Sequence, residues 1–212
     1  MPAISAGILL YRRASDAGGT AAHDAGDGTT TGAGATAGAA GAAAADEGRR
    51  ARVEVLLVHP GGPYWAKKDE GAWSIPKGEA EPGELDDPRL AGAKADLLTG
   101  AKADLLAVAR REFKEETGLD PDQLAAPGAA YAPLGGVKQR GHKIVYVWAL
   151  EGDCDPAAIR SNEFEMEWPP RSGRIARFPE VDRAAWFDLA TAREKIVAGQ
   201  RRFLDDLAAL AR

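Results

Sequence analysis

The chain has 212 residues but only one cysteine, Cys154, which excludes an internal disulfide and a cysteine-based zinc cluster. Its three histidines, His23, His59 and His142, are scattered without metal-ligand spacing, and no catalytic role is expected of them. No apolar run approaches the length of a membrane span, so no membrane partner is expected. The opening Met1-Pro2-Ala3-Ile4-Ser5 lacks the basic and apolar regions of a secretory leader, which makes the cytoplasm the default location. Positive charge is in short supply too: 27 Lys and Arg face 32 Asp and Glu, a net charge of −5. A nucleic-acid polymer is therefore not an expected partner, because affinity for a phosphate backbone comes from concentrated Lys and Arg. A small substrate bearing several phosphates would need local basic groups or metal ions instead. Lys67, Lys68, Lys77, Lys138, Arg140 and Lys143 are the candidate basic groups.

What is present suffices for one good core, with 45% apolar residues in a length that makes a single domain, 1–212, the default. Ile4 to Arg12 and Val53 to Val58 read as strands, rich in β-branched and aliphatic residues. The stretch between them, 15–50, is almost wholly Ala, Gly, Thr and Asp. It has no large apolar side chain to repay its ordering entropy, so a disordered loop is expected there. Leu134 to Val137 and Lys143 to Leu150 read as two strands turning at Arg140-Gly141, the second of them buried on both faces. Ala185-Trp186-Phe187 reads as a short final strand, and Thr191 to Leu210 as one or two helices. Strands mixed with helical blocks predict an α/β sandwich.

The chemistry concentrates in Arg111-Glu112-Phe113-Lys114-Glu115-Glu116-Thr117-Gly118-Leu119. On a helix, Glu112, Glu115 and Glu116 fall at i, i+3 and i+4 and share one face. Three carboxylates so placed repel one another unless a cation lies against them. A hard divalent ion such as Mg²⁺ suits them, since it takes carboxylate and carbonyl oxygens and also binds substrate phosphates. Gly118 is placed as the glycine that ends this helix.

Upstream lies Trp73-Ser74-Ile75-Pro76-Lys77-Gly78-Glu79-Ala80-Glu81-Pro82-Gly83-Glu84. Together the two segments resemble the signature of the Nudix hydrolases: a glycine, five residues, Glu, seven residues, then Arg-Glu-apolar-x-Glu-Glu-x-Gly-apolar. Gly78 to Glu84 fits the first half and Arg111 to Leu119 fits the second. The spacing departs from the pattern, because 27 positions separate Glu84 from Arg111, an excess of 19 residues. Part of that excess is a duplication, Gly92-Ala93-Lys94-Ala95-Asp96-Leu97-Leu98 recurring as Gly100-Ala101-Lys102-Ala103-Asp104-Leu105-Leu106. The insert, at about 89–107, is rich in helix formers. Leu98, Leu105, Ala109 and Phe113 are spaced for one buried stripe leading into the acidic helix.

The resemblance implies a Nudix-type α/β/α sandwich with a mixed sheet, and hydrolysis of a pyrophosphate bond with Mg²⁺ or Mn²⁺. The substrate would be a small phosphoanhydride, a nucleoside diphosphate linked to another group. By position, Glu112, Glu115 and Glu116 would be metal ligands, joined by the backbone carbonyl of Lys77, and one of the acids could serve as base. Arg111 would hold the carboxylates by an ion pair, and Glu84 would anchor the loop. Family members often recruit a further acid from a later loop. Glu163, Glu165 and Glu167 alternate and would share one side of an extended segment; Glu165 is the choice among them. Tyr64, Trp65 and Trp73 are candidates to stack on a planar ring. Ile75-Pro76-Lys77-Gly78-Glu79 looks like the opening found in hydrolases of dinucleoside polyphosphates and diphosphoinositol polyphosphates, and the former is favoured. The alternative is a nucleotide-binding module that keeps the fold without the hydrolysis.

Overall fold

The computed structural model describes residues 3–14, 52–84, 101–139, 141 and 143–212, with the backbone alone at 101–103. The Ala/Gly-rich stretch and the first part of the insert lie outside the described residues. Packing divides the chain into residues 1–12 with 53–212, and residues 13–52. The second unit falls almost wholly outside the described residues, and the sheet with its helices is built by the first.

The central strand is β1, Ile4–Ala14. Its Ala6, Ile8 and Leu10 pack into a cluster with the acidic helix, whereas Leu9 and Tyr11 pack into a second cluster with the C-terminal helices. A strand apolar on both faces belongs in the middle of a layered structure. On one side β1 pairs in parallel with β5, Ile144–Glu151, which in turn pairs antiparallel with β4, Ala132–Lys138. On the other side lie β2, Arg52–Pro60, and beyond it β8, Val181–Asp188, antiparallel to β2. The short β3, Lys77–Glu79, pairs antiparallel with the start of β1, matching Gly7 with Lys77 and Ser5 with Glu79. The sheet is thus mixed, and the final strand is longer than the three residues its sequence suggests. Polar Asp182 and Arg183 hide its beginning from a reading based on apolar runs.

Helix α1, Ala101–Thr117, covers one face of the sheet. Leu105, Val108, Ala109 and Phe113 are its buried stripe, each at most 1% exposed. Burial of a large apolar side chain of this kind contributes roughly 1.5–3 kcal/mol. The stripe fixes the helix rotation and so decides where its acids point. Residues 101–107 of the expected insert are simply the first turns of α1; Leu98 lies outside the described residues. The helix ends at Gly118, whose φ is +73° and whose N–H donates to the Lys114 carbonyl at 2.7 Å. A Cβ there would also sit 2.7 Å from the Arg160 carbonyl oxygen, so only glycine fits. A single turn, α2 (Pro121–Leu124), comes next.

The opposite face is covered by α3, Leu189–Lys195, and α4, Arg201–Leu210. Asp188 caps α3 by accepting from the Ala190 and Thr191 amides, and Phe203, Leu204 and Leu207 bury α4. The result is an α/β/α sandwich. Apart from the main sheet, β6 (Glu163–Glu167) and β7 (Ile175–Pro179) form an antiparallel hairpin of their own. Among the described residues no helix is long and apolar enough to cross a membrane.

Candidate active site

The site forms where β3 lies against α1. Pairing with β1 sets the backbone of β3, and the Pro76 carbonyl accepts from the Ile8 amide at 3.1 Å. The next amide, that of Lys77, donates to Glu116 Oε2 at 2.8 Å. Gly78 faces Glu112 so closely that a Cβ would stand 1.8 Å from Glu112 Oε2. Any side chain there displaces that carboxylate, which is the free end of a flexible chain. Gly78→Ala is therefore expected to lower kcat/KM by roughly 10–100-fold, with little change in Tm, because a misplacement of about 1 Å in a catalytic group can cost that much. Steady-state kinetics beside a thermal melt checks both halves.

Arg111 ties the loop to the helix. Its Nε and Nη2 donate to the two carboxylate oxygens of Glu84, both at 2.8 Å, and Nη2 also reaches the Glu79 carbonyl at 3.2 Å. Its Nη1 lies 2.9 Å from Glu112 Oε1 and 3.0 Å from Glu115 Oε2. The two-pronged Arg–carboxylate pair is the strong geometry for this interaction. Hydrogen bonding to Glu84 holds the Arg111 guanidinium in its charged form, and the same bond holds the Glu84 carboxyl below its ordinary range. Glu84 also accepts from the Glu81 amide at 2.6 Å, closing the turn. Although 27 positions separate Glu84 from Arg111, the two meet directly.

Burial shapes the helix acids. It pushes the Glu112 carboxyl up, opposed by Arg111. It pushes Glu116 up to about 7, opposed by the Lys77 ammonium and amide and reinforced by the negative charges of Glu112 and Glu180. Among the described residues no three His, Cys, Asp or Glu side chains converge as a ready cluster. Arg111 draws Glu112 and Glu115 to itself, and Glu116 turns to the Lys77 amide. The donor chemistry nonetheless fits a hard cation, since two buried carboxylates of one helix are raised in pKa and a cation would relieve that strain.

Arg111, Glu112, Glu115, Glu116 and Lys77 are thus brought together, but Glu165 is not. Its carboxylate accepts from Arg177 at 2.7–2.8 Å and is 55% exposed. Glu163, Glu165 and Glu167 do share a face of β6, but Phe164 and Met166, on the other face, line the cavity at Glu116. The acid that shares this cavity is Glu180, between β7 and β8. Its only sequence signal is a lone carboxylate between Pro179 and Val181. Trp73 is core, 5% exposed, edge-on to Phe187 and His59, with its indole N–H donating to Asp69. Lys143 pairs with Glu79 at 2.9 Å, and the Lys68 ammonium lies 4.3 Å from the centre of the Trp65 ring. Arg140 lies outside the described residues.

The family model described as NUDIX domain matches residues 98–207, more than half of the chain. The chain belongs to the Nudix family. Family membership supports a pyrophosphohydrolase. The Nudix match takes in α1 and Arg111 to Leu119 but begins after the Gly78 to Glu84 loop. Solved structures similar to it include an Ap4A hydrolase of C. elegans in a binary complex, 19% identical, with a TM-score of 0.48 and coverage of 98% of this chain and 96% of that one. A mutT/nudix family protein from Listeria innocua is 13% identical, with a TM-score of 0.48 and coverage of 99% and 94%. The NUDIX domain of Shewanella oneidensis NrtR complexed with ADP ribose is also 13% identical, with a TM-score of 0.48 and coverage of 100% and 90%. No curated protein matches the chain.

Proposed function

We propose that this Nudix protein cleaves a pyrophosphate bond in a nucleoside-linked polyphosphate, of the dinucleoside polyphosphate type, with the acids of α1 holding Mg²⁺ or Mn²⁺. The observation that carries this reading is Glu116. It is a carboxylate raised to about 7 by burial, among other acids, at the wall of a cavity of about 430 Å³. A buried acid surrounded by acids is an arrangement that a cation completes.

Glu112, Glu115, Glu116 and the Lys77 carbonyl would hold the metal, which supplies charge neutralisation at the phosphates and a more acidic bound water. The chain's own residues supply position. The Lys77 amide orients Glu116, Gly78 leaves room for Glu112, and Arg111 holds Glu112 and Glu115 while fixing the loop through Glu84. Glu180, facing the same cavity, accepts the proton of the attacking water, the part for which the sequence pattern favours Glu165. Alignment and charge stabilisation are most of what phosphoryl transfer asks of a protein. The opening Ile75-Pro76-Lys77-Gly78-Glu79 resembles that of dinucleoside polyphosphate and diphosphoinositol polyphosphate hydrolases alike, and the former is the choice made here.

The test is a panel of diadenosine tetraphosphate, ADP-ribose, a diphosphoinositol polyphosphate and nucleoside triphosphates, each with Mg²⁺. The largest kcat/KM is expected for diadenosine tetraphosphate. Binding without turnover on every member would favour the inactive module.

A further inference from the structure

His59, at the end of β2, is a fully buried polar ring to which the hydrolysis assigns no part. Its Nδ1–H donates to Asp182 Oδ1 at 2.7 Å, since a carboxylate offers only acceptors. Its Nε2 lies 2.8 Å from the Lys68 carbonyl oxygen and 3.0 Å from Arg183 Nη2. Trp73 packs edge-on to the ring, centres 5.2 Å apart. Held from these sides, the imidazole is a fixed post in the core.

The post stands at a break in strand register. His59 pairs with Arg183 but Pro60 pairs with Val181, so Asp182 is an extra residue without a partner on β2. Such a β-bulge re-aims side chains, and here Asp182 and Arg183 both reach the His59 ring. One extra residue also shifts every pairing beyond it. Gly61 accordingly meets Glu180, its amide donating to the Glu180 carbonyl at 2.9 Å. In an unbulged ladder Gly61 would face Val181 instead. Side chains alternate along a strand, so a slip of one residue exchanges its two faces. The bulge thus decides which of the two neighbours turns toward Glu116. Glu180 lines the cavity at Glu116, whereas Val181 lines another, beside Asp155 and Arg160. Resting on the reading of Glu180 as proton acceptor, we infer that His59 is a positioning residue: by holding Asp182 in the bulge it keeps Glu180 in register and aimed at the site. It touches no reacting atom and acts through Glu180.

The bond is best cut from its more exposed end, because His59 is buried while the Asp182 side chain is 29% exposed. Asp182→Ala is expected to lower kcat roughly 10–100-fold, with KM and Mn²⁺ affinity unchanged. Asp182→Asn keeps an oxygen that accepts from Nδ1–H and is expected to restore most of the rate. Glu180→Gln is expected to be slowed by roughly 10²-fold or more. Adding Asp182→Ala to it should cost almost nothing further, since both changes act through one group. Independent losses in that cycle, or a wild-type kcat in Asp182→Ala, would overturn the inference and leave Glu180 as the base. Hydrogen exchange at the Gly61 amide, followed by NMR without substrate, reads the register itself. It is expected to quicken roughly tenfold in Asp182→Ala and not in Asp182→Asn. Unchanged exchange would overturn the inference, whatever the activity. Quickened exchange beside a fully active Glu180→Gln would sustain the hold of His59 on the register and sink the base reading.

Discussion

Glu116→Gln is expected to lower kcat/KM by roughly 10³-fold on the best nucleotide substrate, the order lost when a single charge-stabilising group is removed from an active site. Glutamine keeps the shape of the side chain and an oxygen that can still accept from the Lys77 amide, so β3 stays docked on α1. What disappears is the negative charge. If that charge serves only the fold, the variant retains activity, and the metal assignment fails. Stopped assays of phosphate or nucleotide release at saturating Mg²⁺ decide between the outcomes.

The same residue makes the metal-free protein sensitive to alkali. The unfolded chain ionises this carboxyl near its ordinary value of 4.5, while the folded chain holds its proton up to about 7. Between those values the unfolded state gains charge that the folded state resists. Stability contributed below pH 4.5 is therefore lost as pH rises, by up to roughly 3 kcal/mol at pH 8. Glu112 is raised by burial and acts in the same direction. Glu84, Glu79 and Asp69 are held low by Arg111, Lys143 and Lys195, so their contributions are present above their ordinary values and fade only in acid. Thermal melts in chelator should show Tm falling from about pH 5 to about pH 8, a fall reversed by Mg²⁺ and much reduced in Glu116→Gln. An identical pH slope in the variant would show that the loss arises elsewhere.

The parts of this site that sequence disclosed are those written in a local period or a local motif. Glu112, Glu115 and Glu116 share a helix face because of 3.6-residue geometry, and Leu105, Ala109 and Phe113 mark the buried stripe in the same way, a stripe that Glu112 and Glu116 continue toward β3. Gly118 announces its helix end by residue type. Strand parity is different. The alternation of β6 correctly puts Glu163, Glu165 and Glu167 together, but a period of two does not say which face turns inward. That choice is made by pairing with β7 and by packing of Phe164 against the loop at Gly62, with Met166 lining the same cavity, contacts between segments distant in sequence. Glu180 has no pattern around it, since it sits at a junction between strands. Trp73 is of a type that suits stacking on a ligand, but Phe187 and His59 cover it in the core. The meeting of Arg111 with Glu84 is legible only through the family resemblance, because 27 intervening positions carry no period.

Direct cation binding tests the central claim without reference to substrate. Mn²⁺ added to the full chain loses its free-ion paramagnetic signal when bound, and the titration can be repeated with Mg²⁺ as competitor. Wild type is expected to bind Mn²⁺ and release it to Mg²⁺, with Glu116→Gln at least tenfold weaker, in line with loss of a group that serves a metal site. Binding of Mn²⁺ by Glu116→Gln as tight as that of the wild type would contradict the assignment of the α1 acids as the metal site.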